Sequence, residues 1–62
     1  MATFVLSGTE LDSKKSQAKS RIANALGSGV KISGDTIEVT YSIDAPKVAQ
    51  ILNEEGVSYS GG

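Results

Sequence analysis

The sequence predicts a small α+β domain whose elements follow the order strand, helix, strand, strand, helix, strand. Three observations support this prediction: a hairpin pattern in the middle of the chain, a helical pattern on each side of it, and short β-rich runs near both ends. Sixty-two residues are enough for one domain, so residues 1–62 are expected to fold as a single unit.

The hairpin in residues 30–41 is the clearest signal. Gly34 and Asp35 tolerate the positive φ of a two-residue turn, and apolar residues alternate with polar ones on both sides of them. The predicted opposite residues are Ser33 with Thr36, Ile32 with Ile37, Lys31 with Glu38, and Val30 with Val39. The aliphatic side chains of the hairpin then share one face of the sheet, and the oppositely charged pair lies on the other.

The first strand and the first helix precede the hairpin. Residues 3–7 are nearly continuous in apolar character, which is typical of a strand with neighbours on both sides. A helix should begin near residue 12, capped either by Thr9 together with Asp12 or by Asp12 itself, and it should end at Gly27. Its predicted buried stripe consists of Leu11, Ala18, Ile22, Ala25 and Leu26.

A second helix is predicted after the hairpin. Asp44 is a candidate N-cap, and Pro46 suits the first turn because its missing N–H would have no partner there. Ile43 and Val48 have the spacing of a hydrophobic staple, and Gly56 should end the helix. The predicted buried stripe consists of Ala45, Val48, Ala49 and Leu52.

The element order predicts a split βαβ, ferredoxin-like arrangement. Two right-handed crossovers around a central hairpin give a four-stranded antiparallel sheet with both helices on one face. Residues 57–60 form the last predicted strand, and Gly61 and Gly62 are expected to be a flexible tail. Alternatively, the last strand leaves the sheet or is exchanged with a second copy, because four residues at an edge hold weakly.

Strand parity divides the side chains between the two faces of the predicted sheet. The helix-facing residues are Phe4, Leu6, Val30, Ile32, Ile37, Val39, Tyr41, Val57 and Tyr59. The outer-face residues are Thr3, Val5, Ser7, Lys31, Ser33, Thr36, Glu38, Thr40, Ser42, Ser58 and Ser60. The outer face is therefore almost wholly hydroxylic and lacks the aromatic residues on which RNA-binding members of this fold stack bases.

The composition argues against most catalytic chemistry. The chain has no Cys and no His, so it lacks a thiolate nucleophile, the commonest general base and the commonest transition-metal ligand. The net charge of −1 gives no overall attraction to nucleic acid or to an anionic membrane. Since there is neither a membrane-length apolar run nor a basic signal-peptide region, we expect a cytoplasmic protein. Because Cys and His are missing, we expect that it is not an enzyme and holds no cofactor or metal.

Four of the six basic residues lie close together in the first helix: Lys14, Lys15, Lys19 and Arg21. A weak nucleic-acid-binding function through this cluster is the alternative hypothesis. At about 100° per residue the four cations flank the apolar stripe and do not form one outward ridge. This favours the interpretation that their side chains extend over the margins of the core and do not bind nucleic acid.

A third hypothesis is an anion-binding enzyme. It would hold its anion in the turn Ser7-Gly8-Thr9 before the first helix, although this turn lacks the glycines and the Lys-Ser/Thr pair of a phosphate-binding loop.

The favoured hypothesis is a small non-enzymatic protein-binding and regulatory module that forms a homodimer. Its size is typical of a viral or accessory inhibitor. The last strand is short, uncharged and free of Pro, so it lacks the usual protection against pairing with another chain. The partner surface is expected to be this sheet edge or the second helix, where Ile51 is predicted to project outward toward Lys47 and Glu54. The candidate partner-binding residues are Ile51, Lys47, Glu54, Val57 and Tyr59.

Overall fold

The computed structural model describes residues 2–9 and 11–62, and these contain two α-helices and a four-stranded antiparallel sheet. The elements in chain order are β1 (Ala2–Leu6), α1 (Asp12–Leu26), β2 (Val30–Ser33), β3 (Thr36–Val39), α2 (Ala45–Glu55) and β4 (Tyr59–Gly61). Short 3-10 turns at Gly27–Gly29 and Ser42–Asp44 lead into β2 and α2. The strands lie side by side in the order β2-β3-β1-β4, so the predicted α+β class and the central position of β1 are confirmed.

The predicted hairpin is confirmed residue by residue. Ser33 lies opposite Thr36, and the three pairs that follow outward to Val30 and Val39 are those expected from the sequence. Gly34 has a φ of 57°, whereas no residue other than glycine has a positive φ anywhere in the described ranges. A positive φ at the first central position alone is the pattern of a type II′ turn, which requires glycine at that position.

One apolar core joins the sheet to both helices. Its buried members are Phe4, Leu6, Ala18, Ile22, Ile37, Val39, Val48, Ile51, Leu52 and Val57. Phe4 and Ile37 lie opposite each other on neighbouring strands, which places the largest side chain of β1 at the centre of the sheet. No polar or charged residue is buried in the part of the chain that the structure describes, so the core needs no internal polar network.

The start of α1 differs from the prediction, although the helix begins at residue 12 and ends at Gly27 as expected. Leu11 occupies the N-cap position with extended backbone angles, so neither predicted cap is correct. Leu11 is 76% exposed because it precedes the helix, so its helical spacing to Ala18 and Ile22 does not place it on the buried face. Ala25 is exposed as well, while Leu26 continues the line of positions four residues apart and packs against the core.

The entry into α2 also differs from the prediction. Ile43 is 86% exposed, so the predicted staple with Val48 is wrong. The chain enters the helix through a 3-10 turn, in which the Asp44 N–H donates to the Tyr41 carbonyl, and this turn directs Ile43 away from the core. Tyr41 is 61% exposed instead of buried, because β3 ends at Val39 and strand parity does not extend past the end of a strand.

Ile51 is only 4% exposed, so the prediction that it projects outward from α2 is wrong. The buried positions of α2 are Val48, Ile51 and Leu52, which have the i, i+3, i+4 spacing of one helix face. Ala45 and Ala49 lie at the margin of this face and are partly buried. The buried stripe is therefore rotated toward Ile51 from its predicted position.

The predicted flexible tail is part of the sheet. Gly61 belongs to β4 and lies opposite Phe4, and the Gly62 N–H donates to the Thr3 carbonyl at 2.8 Å. Gly61 has a φ of 93°, and a Cβ atom at this position would collide with the Thr3 carbonyl oxygen. Glycine is therefore required where β4 approaches β1, and the strand lies nearer the end of the chain than residues 57–60.

Replacing Gly61 with Ala should destabilise the protein by about 1–3 kcal/mol, since it adds both backbone strain and a collision with β1. Urea unfolding followed by circular dichroism measures this change. Ser60→Ala is the matched control in the same strand; because Ser60 is exposed, its effect should stay within about 0.5 kcal/mol. Equal stability of the native chain and Gly61→Ala would mean that the end of the chain is not paired in solution.

The two isoleucines near α2 provide a second test of the fold. Ile51→Ala should lower the free energy of unfolding by about 2–5 kcal/mol because it leaves a cavity in the core. Ile43→Ala removes the same atoms from an exposed position and should change it by no more than about 0.5 kcal/mol. Similar losses in the two variants, measured by urea unfolding, would contradict this packing of α2.

Candidate functional site

The β4 edge of the sheet presents backbone hydrogen-bonding groups to the outside. The Gly62 N–H bonds to the Thr3 carbonyl and the Ser7 N–H bonds to the Ser58 carbonyl, so these two pairs are hydrogen-bonded pairs of the β1–β4 ladder. Such pairs alternate along an antiparallel ladder, and Val5 with Ser60 is therefore the hydrogen-bonded pair between them. The N–H and C=O groups of the two residues that flank Ser60, Tyr59 and Gly61, point away from β1.

The side chains of β4 do little to protect this edge. The strand is three residues long and contains neither a charge nor a proline, which are the usual devices against pairing with another chain. The half-buried Tyr59 ring packs edge-on against Phe4, with ring centroids 5.5 Å apart. Ser60 is exposed on the opposite side, next to Val5, which is 42% exposed.

A shallow apolar groove of about 270 Å³ runs along the same edge. Its lining residues are Phe4, Ala45, Pro46, Ala49, Tyr59, Gly61 and Gly62. The groove thus lies between the first turns of α2 and the end of β4. A strand added to β4 would place its core-side side chains over this groove.

The β2 edge is different in charge. The Thr40 N–H donates to the Gly29 carbonyl, and the alternation that starts from this pair directs the N–H and C=O groups of Val30 and Ile32 outward. Lys31 lies between these two residues and is exposed, opposite Glu38. A lysine in an edge strand opposes pairing with another chain, so β4 is the less protected of the two edges.

The five candidate partner-binding residues do not form one surface. Ile51 and Val57 are 4% and 3% exposed and belong to the core. Lys47 is exposed on α2, and Glu54 forms an ion pair with α1. Tyr59 lies on the β4 edge itself. A role of this set in binding a partner stays a prediction, but the buried members cannot contact a partner while the core is intact.

Arg21 joins α1 to the end of α2. Its two terminal nitrogens donate to Glu55 Oε2 at 2.8 Å and to Glu54 Oε1 at 2.9 Å, and Gln50 donates to the other oxygen of Glu54 at 3.2 Å. The hydrogen bond from Arg21, followed by the one from Gln50, lowers the pKa of the Glu54 carboxyl. The same bonds to Glu54 and Glu55 raise the pKa of Arg21, so both partners stay charged over a wider pH range.

The basic cluster of α1 is divided among different neighbours. Lys19 donates to the Gly34 carbonyl at 2.9 Å, which ties the helix to the hairpin turn. Lys14 lies beside Gly56 at the end of α2, and Arg21 holds the two glutamates. Lys15 is partly buried. This arrangement favours the interpretation that the basic side chains cover the margins of the core over the interpretation that they form a row of phosphate-binding groups.

The turn Ser7-Gly8-Thr9 uses part of its backbone internally. The Ser7 N–H is occupied by the Ser58 carbonyl. The Lys14 and Lys15 N–H groups both bond to the Leu11 carbonyl, so these amides of the first helical turn are also paired. In the described residues, no three Asp or Glu side chains are close enough together to hold a metal ion.

Neither described helix is long and apolar enough to cross a membrane.

No protein-family model matches this chain, and no curated protein or solved structure is significantly similar to it. The candidate site therefore depends on the geometry of the chain itself.

Arg21→Gln should weaken the dependence of stability on pH in the acid range. In the native chain the folded-state pKa of Glu54 lies below its ordinary value, so its contribution to stability is present above the ordinary glutamate pKa of about 4.3. This contribution is lost as the pH falls through the folded-state pKa. The difference in unfolding free energy between the native chain and Arg21→Gln should therefore be largest near neutral pH and should shrink in acid.

Urea unfolding at a series of pH values measures this difference. Lys15→Gln removes one positive charge from the same helix without breaking the ion pair, and it should keep the native acid dependence. Parallel stability curves for the native chain and Arg21→Gln would show that the ion pair does not form in solution.

Proposed function

We propose that this protein is a non-enzymatic protein-binding module that regulates other proteins by pairing a strand with its β4 edge. The observation that carries the proposal is the outward direction of the backbone groups of Tyr59 and Gly61 on a strand without charge or proline. An extended segment bound there would gain main-chain hydrogen bonds from β4 and apolar contacts from the groove beside it. A segment held in this way is withheld from its other partners, which is the proposed regulatory effect.

The burial of α2 favours the sheet edge over the second helix as the binding surface. Ile51, the residue expected to anchor a partner on α2, is in the core. The outward positions Lys47, Gln50 and Glu54 are polar, and the last two are hydrogen-bonded to each other. An exposed helix face without an aromatic or Arg anchor is a poor protein-binding surface, because a few buried anchors, mostly Trp, Tyr and Arg, supply most of the binding energy of an interface.

The positions of the basic side chains favour protein binding over nucleic-acid binding. Lys19 and Arg21 already donate to groups of this chain, and a phosphate would have to compete with those acceptors. The aromatic Phe4 is buried and Tyr59 packs against it, so neither presents a free ring face at the centre of the exposed side of the sheet.

We assign the fold to the ferredoxin-like arrangement as part of this proposal. The strand order β2-β3-β1-β4 and the single core that contains residues of both helices support it. In this arrangement both helices cover one face of the sheet. A strand added to β4 then extends the sheet sideways, and the groove beside α2 receives every second side chain of the added strand.

Chemical synthesis allows a direct test of strand pairing at β4. Extended peptides of about ten residues would first be selected from a display library against the native chain, tethered singly so that two copies cannot meet. N-methylation of Tyr59 removes one outward N–H while keeping every side chain. Because a hydrogen bond is lost and the methyl group obstructs the edge, the selected peptides should bind the N-methyl-Tyr59 chain at least about tenfold more weakly.

N-methylation of Ile32 is the matched control, since it removes an outward N–H from the other edge of the same sheet. This chain should bind the selected peptides with native affinity, and circular dichroism would establish that both methylated chains are folded. The proposal fails if no peptide is enriched, or if the selected peptides bind the native and the N-methyl-Tyr59 chains equally well.

A further inference from the structure

The backbone of β4 is complementary to itself. Tyr59 and Gly61 point outward and are separated by one residue, so a two-fold axis that passes beside Ser60 places Tyr59 of one copy opposite Gly61 of the other. Opposite residues whose groups face each other exchange two hydrogen bonds in an antiparallel ladder, and this register contains two such pairs. All outward groups of Tyr59 and Gly61 would be bonded in the same arrangement.

The side chains of the core-facing side fit this register. Gly61 has no side chain and lines the open groove beside β4, so the Tyr59 ring of a second copy would lie over the Gly61 backbone in this groove. An aromatic ring that covers a glycine in the neighbouring strand is a known means of protecting an edge glycine. Phe4 already lies opposite Gly61 within the chain, so the ring of the second copy would also lengthen the apolar row that Phe4 and Tyr59 form.

The exposed side fits as well. Ser60 would lie opposite Ser60 of the second copy at a position without backbone hydrogen bonds, where opposite residues approach most closely, at about 4.5 Å between Cα atoms. Two small hydroxyl side chains fill such a position without crowding and can bond to each other.

Charge distinguishes the two edges. The equivalent symmetric register at β2, which would use the outward groups of Val30 and Ile32, places Lys31 opposite Lys31 of the second copy. Like charges directly opposite each other destabilise a strand pair. The β4 edge carries no charge, so two copies meet there without this repulsion.

We infer that, when no segment of another protein is bound, the β4 edge pairs with β4 of a second copy, antiparallel about a two-fold axis at Ser60, to give one continuous eight-stranded sheet. This inference rests on the proposed function, because it uses the same edge and names the occupant. It specifies which residues of the two copies lie opposite each other, so charged substitutions at those positions can test it.

Charged substitutions of either sign at Ser60 test the register. Ser60→Lys and Ser60→Glu each place like charges opposite each other at the axis, and each should raise the dissociation constant of the dimer by about fivefold. Mixing the two variants pairs Lys with Glu, so native mass spectrometry should find more heterodimer than the statistical half. Ser33→Lys adds the same charge to the exposed side of β2 and should leave the native dimer unchanged.

Sedimentation equilibrium at several concentrations supplies the dissociation constants. The N-methyl-Tyr59 chain is a second disruptive variant that adds no charge, and it should sediment as a monomer where the native chain is a dimer. A native chain that is monomeric at every concentration overturns the inference. A dimer that Ser60→Lys and Ser60→Glu leave unchanged overturns the register.

The peptide selection separates these failures from failure of the proposed function. If the native chain is a monomer but selected peptides bind in a way that N-methyl-Tyr59 weakens, the edge binds strands and only the second copy is the wrong occupant. If the chain is a monomer and no peptide is enriched, both proposals are wrong.

Discussion

The two-residue turn at Gly34 and Asp35 sets the parity of the whole sheet. It fixes which residues of β2 and β3 are opposite, and the Leu6 N–H bonded to the Asp35 carbonyl transfers the same alternation to β1. From β1 the alternation passes to β4 through the bonds at Thr3 and Ser7. A shift of one residue anywhere in this series would move Phe4 or Ile37 to the exposed side, so the buried core and the outward groups of the β4 edge depend on one register.

The elements whose determinants are local could be predicted from the sequence. The hairpin requires a glycine at one turn position and an alternating pattern beside it, and both are visible within twelve residues. Three of the misassigned residues lie where the chain enters or leaves an element. Leu11, Tyr41 and Ile43 have the right spacing for burial, but an extended cap, a strand end and a 3-10 turn direct them outward. Ile51 belongs to the core although it lies outside the predicted stripe, since helix periodicity alone does not identify which neighbouring elements cover a helix face.

The candidate site could be predicted only in part, because some of its features depend on contacts between residues far apart in the sequence. The absence of charge and proline in the last strand is a property of its composition, and it indicated an unprotected edge. Which of its amides point outward depends on the bond between Gly62 and Thr3, two residues almost a full chain length apart. The Gly61-Gly62 pair is typical of a flexible tail when only local preferences are considered, and the long-range pairing with β1 overrides that preference.

Gly61 links the stability of the fold to the proposed binding edge. The absence of a side chain lets β4 approach the Thr3 carbonyl. Gly61 also lines the groove in which an aromatic ring of an added strand would lie. A chain of this length buries only about 60% of the surface it exposes when unfolded, so its shortest edge strand gains substantially from any added burial. Strand pairing at β4 would therefore stabilise the strand that performs it. Binding and folding are expected to be coupled at this edge more strongly than at β2, because a lysine in an edge strand, here Lys31, opposes pairing with another chain.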